Sequence, residues 1–225
     1  MFPNLFESIK KWLIRKYVNK KKHREYKSFF NEPSTIDGFG QPYNFTHIYS
    51  YYFQHPYDDK LKAIHEALDL YTGSPTAKIN NYLRIGNPEY EFERSSLEAH
   101  VKYLDLFLSQ IQLKDPVFVI RKVKSCHLDI DNNTKTISDK AFLSTSLNLD
   151  YNLDFDSDKE KSNHHTFIII KVPKGAHVSF LESKKNNREE YELLLPRNST
   201  IKIDKQYRFL NNKLIFGEIV LKLNT

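Results

Sequence analysis

The hydrophobic periodicity of this 225-residue chain changes character at Pro116. Upstream of it, apolar residues recur at three- and four-residue spacing, the signature of helices with one buried face. Leu61, Ile64, Ala67, Leu68 and Tyr71 line one side of residues 58–71, and Gly73 ends that run. Ser74 and Pro75 then read as an N-cap followed by a first-turn proline, opening a helix that carries Ile79, Tyr82 and Leu83 and stops near Gly86. A third helix, from about Pro88 to Gln112, has Leu97, Val101, Leu104, Leu108 and Ile111 as its stripe. Downstream the pattern becomes short β-branched and aromatic runs at 117–124, 141–147, 166–172, 177–181, 190–195, 200–204 and 213–223. Helices first and strands afterwards predict an α+β fold with a mostly antiparallel sheet, and argue against a doubly wound parallel one.

The N-terminal segment stands apart in charge. The chain carries +6 overall; residues 1–30 hold nine Lys or Arg against Glu7 and Glu25, a surplus of +7, which leaves the rest at −1. A basic groove for nucleic acid needs an excess of cations across the folded body, so a nucleic-acid partner is not expected. Leu5, Phe6, Ile9, Trp12, Leu13 and Tyr17 recur at helical spacing with Lys10, Lys11, Arg15 and Lys16 between them. Such a helix either packs on a core or lies on an anionic membrane surface through residues 1–28, with the Lys20–Arg24 run adding to the second reading. The division expected is a basic amphipathic arm over 1–30 and one domain over 31–225, with a helical lobe at 58–112 and a β core at 116–225. No apolar run reaches the ~18 residues of a membrane span, and no cleavable secretory signal is visible, so a soluble monomer is expected, exported if at all by another route. Cys126 is the only cysteine, which excludes an internal disulfide and a cysteine-based metal site; no metal is expected.

Three strand segments carry chemistry-bearing residues. In VFVIRKV, strand alternation puts Arg121 on one face with Val117, Val119 and Val123. A guanidinium among valines needs an anion, supplied either by a structural carboxylate or by a bound ligand. In AFLSTSL, Ser144 and Ser146 share a face with Phe142, and Thr145 lies opposite. In EEYELLLP, alternation places Glu190 and Glu192 on one face, roughly 6–7 Å apart at the strand rise, a spacing like that of the paired acids that attack glycosidic bonds.

The ordered set of Arg, then Ser-Thr-Ser, then Glu-x-Glu resembles the R-S-E class of mono-ADP-ribosyltransferases, closest to the bacterial toxin and exoenzyme branch. The likeness runs from about residue 58 to the C-terminus, and YTGSPTAKINNYLR, FLSTSL, IIIKVPKGAHVSFL and EEYELLLPRNS carry it. It implies a helical lobe packed on a two-sheet, mostly antiparallel β core. It implies NAD as substrate, with transfer of ADP-ribose to a target protein the sequence does not identify. Glu192 becomes the catalytic carboxylate beside the ribose, Ser144 the residue that holds it, and Glu190 the residue that meets the acceptor, which Glu at this position implies is arginine. Arg121, Tyr71, Asn80, Arg84, Thr145 and Ser146 become NAD-site residues. Two positions depart from the toxin pattern. Thr76 stands where a second aromatic is usual, and residues 148–165 contain no Arg. Lys159 or Lys161 would serve phosphate instead, and Tyr151 or Phe155 would cover nicotinamide. Two other readings remain open at this point: an NAD glycohydrolase of the same fold, and an inactive module that binds a partner or membrane.

Overall fold

The computed structural model describes residues 3–30, 58–72, 76–86, 91–110, 112–150, 165–181, 191–209 and 212–221. Four helices occur among them: α1 (Pro3–Val18), α2 (Asp59–Thr72), α3 (Thr76–Ile85) and α4 (Glu91–Ser109). Nine strands follow: β1 (Val117–Lys124), β2 (Asp129–Asp131), β3 (Thr136–Ser138), β4 (Leu143–Ser146), β5 (His165–Val172), β6 (Ser179–Leu181), β7 (Glu192–Leu195), β8 (Thr200–Phe209) and β9 (Asn212–Ile219). The switch of periodicity at Pro116 is therefore the boundary between α4 and β1. The β2–β3 hairpin was not anticipated. Its strands are three residues long and mostly polar, so they carry no alternating hydrophobic signal.

The ladder order is β2-β3-β8-β9-β5-β1-β4-β7-β6. Every pairing is antiparallel except β5 with β9. The ladder has two halves, β2 through β1 and β4-β7-β6, joined among the described residues by the pair Ile120↔Ser146. One apolar cluster takes Val119, Ile168 and Ile215 from the first half and Leu143, Phe180, Leu193 and Leu195 from the second. The halves thus pack face to face, as the expected two-sheet core requires.

Helices cover both outer faces. Ile64, Leu68, Tyr71, Ile79, Leu104 and Leu108 of α2–α4 pack on Phe142, Leu181 and Leu194 of the smaller half. On the other side, Ile14, Tyr17 and Val18 of α1 pack on Phe118, Ile120, Phe167, Ile169, Leu214 and Phe216. The N-terminal segment is therefore a layer of the body and not a free arm. Lys27 and Phe29 make parallel bridges to Val117 and Asn148, so the segment also touches both halves of the ladder. The expected stripe of α1 splits accordingly: Tyr17 is buried, together with Ile14 outside the stripe, while Ile9 and Trp12 face solvent at 36% and 56% exposure.

An ion cluster fastens α1 to the sheet. The Tyr17 hydroxyl donates to Asp204, the Tyr26 hydroxyl donates to Glu218 at 3.0 Å, and the Lys171 ammonium sits between the two carboxylates at 2.9 and 2.6 Å. Asp204 reaches this cluster because β8 bulges there. Ile203 pairs with Gly217 and Lys205 with Phe216, leaving Asp204 as the extra residue.

Candidate active site

The residues singled out on α2, α3, β1, β4 and β7 converge where the two halves of the ladder meet. Tyr71, near the end of α2, is buried and packs edge-on against Phe142, with ring centroids 5.8 Å apart. Its hydroxyl accepts a hydrogen bond from Asn80 Nδ2 at 3.4 Å. With 1% exposure, the Tyr71 ring belongs to the core of the helical lobe, and only its hydroxyl edge is turned to the site. Burial, and then the charge of Glu192, push the Tyr71 hydroxyl well above its ordinary pKa.

Arg121 projects from β1 toward β4. Its Nη1 donates to the Ser144 carbonyl at 2.8 Å and its Nη2 to Asp139 Oδ2 at 3.2 Å. Arg84 from α3 grips the same carboxylate with a two-pronged fork, Nε to Oδ1 at 3.0 Å and Nη2 to Oδ2 at 2.7 Å. Asp139 also accepts from the Ala141 amide at 2.9 Å, and its carbonyl accepts from Asn198 N at 3.1 Å. One carboxylate, 1% exposed, thus organises two guanidinium groups that are 7% and 15% exposed. The anion that Arg121 requires is here a structural carboxylate of the chain itself. Burial lowers the Arg121 pKa from its ordinary value, and the nearby charges of Asp139 and Glu192 oppose that shift. Asp139 was not singled out from the sequence. The available signal was the demand of a mid-strand Arg for an anion, together with an acidic residue just before the Ser-Thr-Ser strand.

Glu192 is the first residue of β7 and is 9% exposed. It lies within electrostatic reach of both Tyr71 and Arg121. The register places Ser146 directly across from Glu192, with Ser144 across from Leu194. Ser146, rather than Ser144, is therefore the cross-strand neighbour of the carboxylate. Ser144 contributes its backbone carbonyl to Arg121. Ser146 Oγ donates to the Asn148 carbonyl at 3.3 Å and accepts from Asn148 N at 3.1 Å, closing the turn after β4. Thr145 points the opposite way, where its hydroxyl donates to the Leu193 carbonyl at 2.6 Å; it braces β4 on β7 rather than lining the site.

The expected strand at 190–195 begins only at Glu192. Tyr191 has a φ of 41°, a left-handed conformation that bulky residues rarely adopt, so regular alternation does not extend back through it. Glu190 and the turn from Glu182 to Arg188 lie outside the described residues, as do Tyr151, Phe155, Lys159 and Lys161. Two buried polar atoms of the site have no hydrogen-bond partner among the described residues, Arg121 Nε and Asn80 Oδ1.

The profile of the ADP-ribosyltransferase exoenzyme family matches residues 57–222. The chain belongs to that family. Members and relatives of the fold are recognisable at low identity. Plx2a, an ADP-ribosyltransferase toxin from Paenibacillus larvae, is 19% identical, with 78% of this chain and 92% of that one covered and a TM-score of 0.51. C3stau2 from S. aureus, solved with NAD, is 17% identical over 88% of this chain and all of that one, with a TM-score of 0.56. BECa, the ADP-ribosylating toxin of a binary enterotoxin of C. perfringens, solved with NADH, is 16% identical with a TM-score of 0.56; 79% of this chain matches 49% of that one. This ADP-ribosyltransferase exoenzyme therefore spans about half the length of such a binary-toxin component. A sequence comparison with curated proteins finds no match. Among the described residues, no helix is long and apolar enough to cross a membrane.

Proposed function

We propose that this exoenzyme transfers ADP-ribose from NAD to an arginine side chain of a target protein, releasing nicotinamide. The observation that carries the reading is the setting of Glu192: a nearly buried carboxylate at a strand start, across from Ser146 and within reach of Arg121 and Tyr71. Nicotinamide leaves NAD as a neutral molecule, so its departure needs no general acid. The bond from ribose C1′ to the nicotinamide nitrogen breaks, and the positive charge moves onto the ribosyl ring. A fixed carboxylate next to that ring stabilises the oxocarbenium character of the transition state. Glu192 takes this role, with Ser146 as its cross-strand support and Ser144 holding Arg121 through its carbonyl.

Arg84 and Arg121 arrive at the site already oriented. Asp139 holds both planes, so less side-chain entropy is lost when they meet an anion. Arg84, the more exposed, is suited to contact the NAD diphosphate; Arg121, nearly buried, is suited to steady it through their shared Asp139. Glu190 is assigned to the acceptor. A carboxylate there orients a guanidinium and takes its proton as the nitrogen bonds to C1′.

Labelled NAD, incubated with arginine-rich acceptor protein, tests the assignment through two variants. Glu192→Gln should remove both NAD hydrolysis and transfer, by on the order of 100-fold or more, the scale of a lost electrostatic stabiliser. Glu190→Gln should keep hydrolysis and lose transfer. Equal loss of both activities in Glu190→Gln would mean the two carboxylates are wrongly assigned. Hydrolysis by the wild type without transfer to any protein would favour the glycohydrolase reading.

A further inference from the structure

Far from this site, α1 and β8 enclose a cleft of about 310 Å³, lined by Trp12, Leu13, Lys16, Lys20, Lys205 and Tyr207 above a floor of Tyr17 and Phe216. Three lysines and four aromatic rings share one small volume. Among the described residues, none of the lysines is paired with a carboxylate. The two acids bordering the cleft are already engaged: Asp204 by Tyr17 and Lys171, and Glu218 by Tyr26 and Lys171. Lys16 lies over the Trp12 ring at 4.5 Å and Lys20 over the Tyr17 ring at 5.7 Å. Lys20 and Lys205 both line the cleft, and the neighbouring Lys205 lowers the Lys20 pKa from its ordinary value. Three ammonium-bearing side chains lining one cleft, with no carboxylate in its lining, describe a site for an anion.

The fold brings this about through the bulge in β8. In a regular strand Asp204 and Lys205 would point to opposite faces. The extra residue turns both toward α1, so Asp204 anchors the helix while Lys205 joins the cleft. On α1, Ile9, Trp12 and Lys16 fall on one stripe, and Lys20 follows in the turn after the helix. That stripe combines exposed apolar side chains with lysines, the composition of a surface that meets lipid headgroups. Exposed Lys11, Lys21, Lys22 and Arg24 flank it.

We infer that the α1–β8 cleft binds the phosphate of an anionic phospholipid, with Trp12 and Ile9 entering the headgroup layer, and so docks the enzyme on a membrane surface. An acidic protein would satisfy the lysines as well; the exposed Trp12 and Ile9 beside them favour the headgroup layer, where an indole ring sits at the boundary between lipid and water. The site is separate from the NAD chemistry, and its test does not depend on it.

Trp12 is the chain's one tryptophan, so its emission reports on the cleft directly. The full chain should show a blue-shifted Trp12 spectrum with phosphatidylcholine–phosphatidylserine vesicles, none with phosphatidylcholine alone, and reversal by added salt. Each lysine at such a surface gives roughly a fivefold gain in affinity. Lys16→Gln/Lys20→Gln/Lys205→Gln should therefore bind about 100-fold more weakly, with an unchanged far-UV circular dichroism spectrum. Should the triple variant fail to fold, the three single variants and the salt titration of the wild type carry the same test. An absent shift with anionic vesicles, an equal shift with neutral ones, or undiminished binding by folded variants overturns the proposal. So does saturation by inorganic phosphate with no binding to vesicles, which would make the cleft a site for a soluble anion.

Discussion

Asp139→Asn is the substitution that most directly tests how the active site is held. The change is isosteric, so packing is conserved and the perturbation is electrostatic. The carboxylate accepts two hydrogen bonds from Arg84, one from Arg121 and one from the Ala141 amide. An asparagine keeps one acceptor oxygen and turns an NH₂ group toward guanidinium donors. Two cations with side chains 7% and 15% exposed are then left facing each other. Breaking a buried pair by removing one partner costs about 3–5 kcal/mol, because the remaining charge stays buried without compensation. For a domain of this size that corresponds to a melting temperature lower by roughly 6–20 °C. Urea denaturation should show a lower midpoint at an unchanged slope. Adding Arg84→Gln, which removes one of the stranded cations, should recover part of the loss, the mark of coupled neighbours. A destabilisation of Asp139→Asn below about 1 kcal/mol, or strictly additive effects in the double variant, would refute the claim that Asp139 organises both arginines.

Three further outcomes follow from the packing. Gly217 lies where a Cβ would come within 2.6 Å of Ile201 Cγ2 and 2.7 Å of the Lys202 carbonyl, so Gly217→Ala should destabilise by about 1–3 kcal/mol, read from thermal melts. Asp204→Asn should weaken the hold of α1 by roughly 1–3 kcal/mol, since buried Lys171 loses one of its two carboxylates and Tyr17 its charged acceptor; amide exchange in 3–18 should rise before that of β5. His23 is buried, and burial followed by the Lys171 charge lowers its pKa below the ordinary value of 6.5. The unfolded chain then binds this proton more readily than the folded one, so His23 causes stability to fall as pH drops below about 6.5, and the loss levels off below the folded pKa. His23→Gln should flatten that part of the stability–pH curve, and an unchanged curve would count against a neutral His23.

The layers of this fold were legible from hydrophobic period, because α2, α3 and α4 each bury one face while β1, β5 and β9 are apolar on both and lie between layers. What escaped has physical reasons. The β2–β3 hairpin is too short and polar to show alternation. Tyr191 takes its left-handed φ among residues whose composition says strand, and nothing in a string of Glu, Tyr and Leu signals such a break. The three motifs carrying Arg121, Ser144 and Glu192 stand out in the sequence because their types and order are unusual, and β1, β4 and β7 bring them together. Asp139 carries a weaker signal, since an acidic residue in a polar turn looks like any solvated one unless the demand of Arg121 for an anion is set beside it. Thr145 travelled with its neighbours in the motif, while its strand parity already placed it on the other face, where it bonds the Leu193 carbonyl.

The position of β9 governs when this molecule can exist at all. It lies between β8 and β5, near the middle of the ladder, and yet comes from residues 212–219. Until it is present, β8 with its hairpin and β5 with β1 are two fragments with facing, unpaired backbone edges. A chain made or threaded N-terminus first therefore passes through nearly its whole length with the larger half of its sheet open. Closure is a late, single event, and a ribosome stalled ahead of Asn212 holds an aggregation-prone, protease-sensitive polypeptide instead of a smaller enzyme.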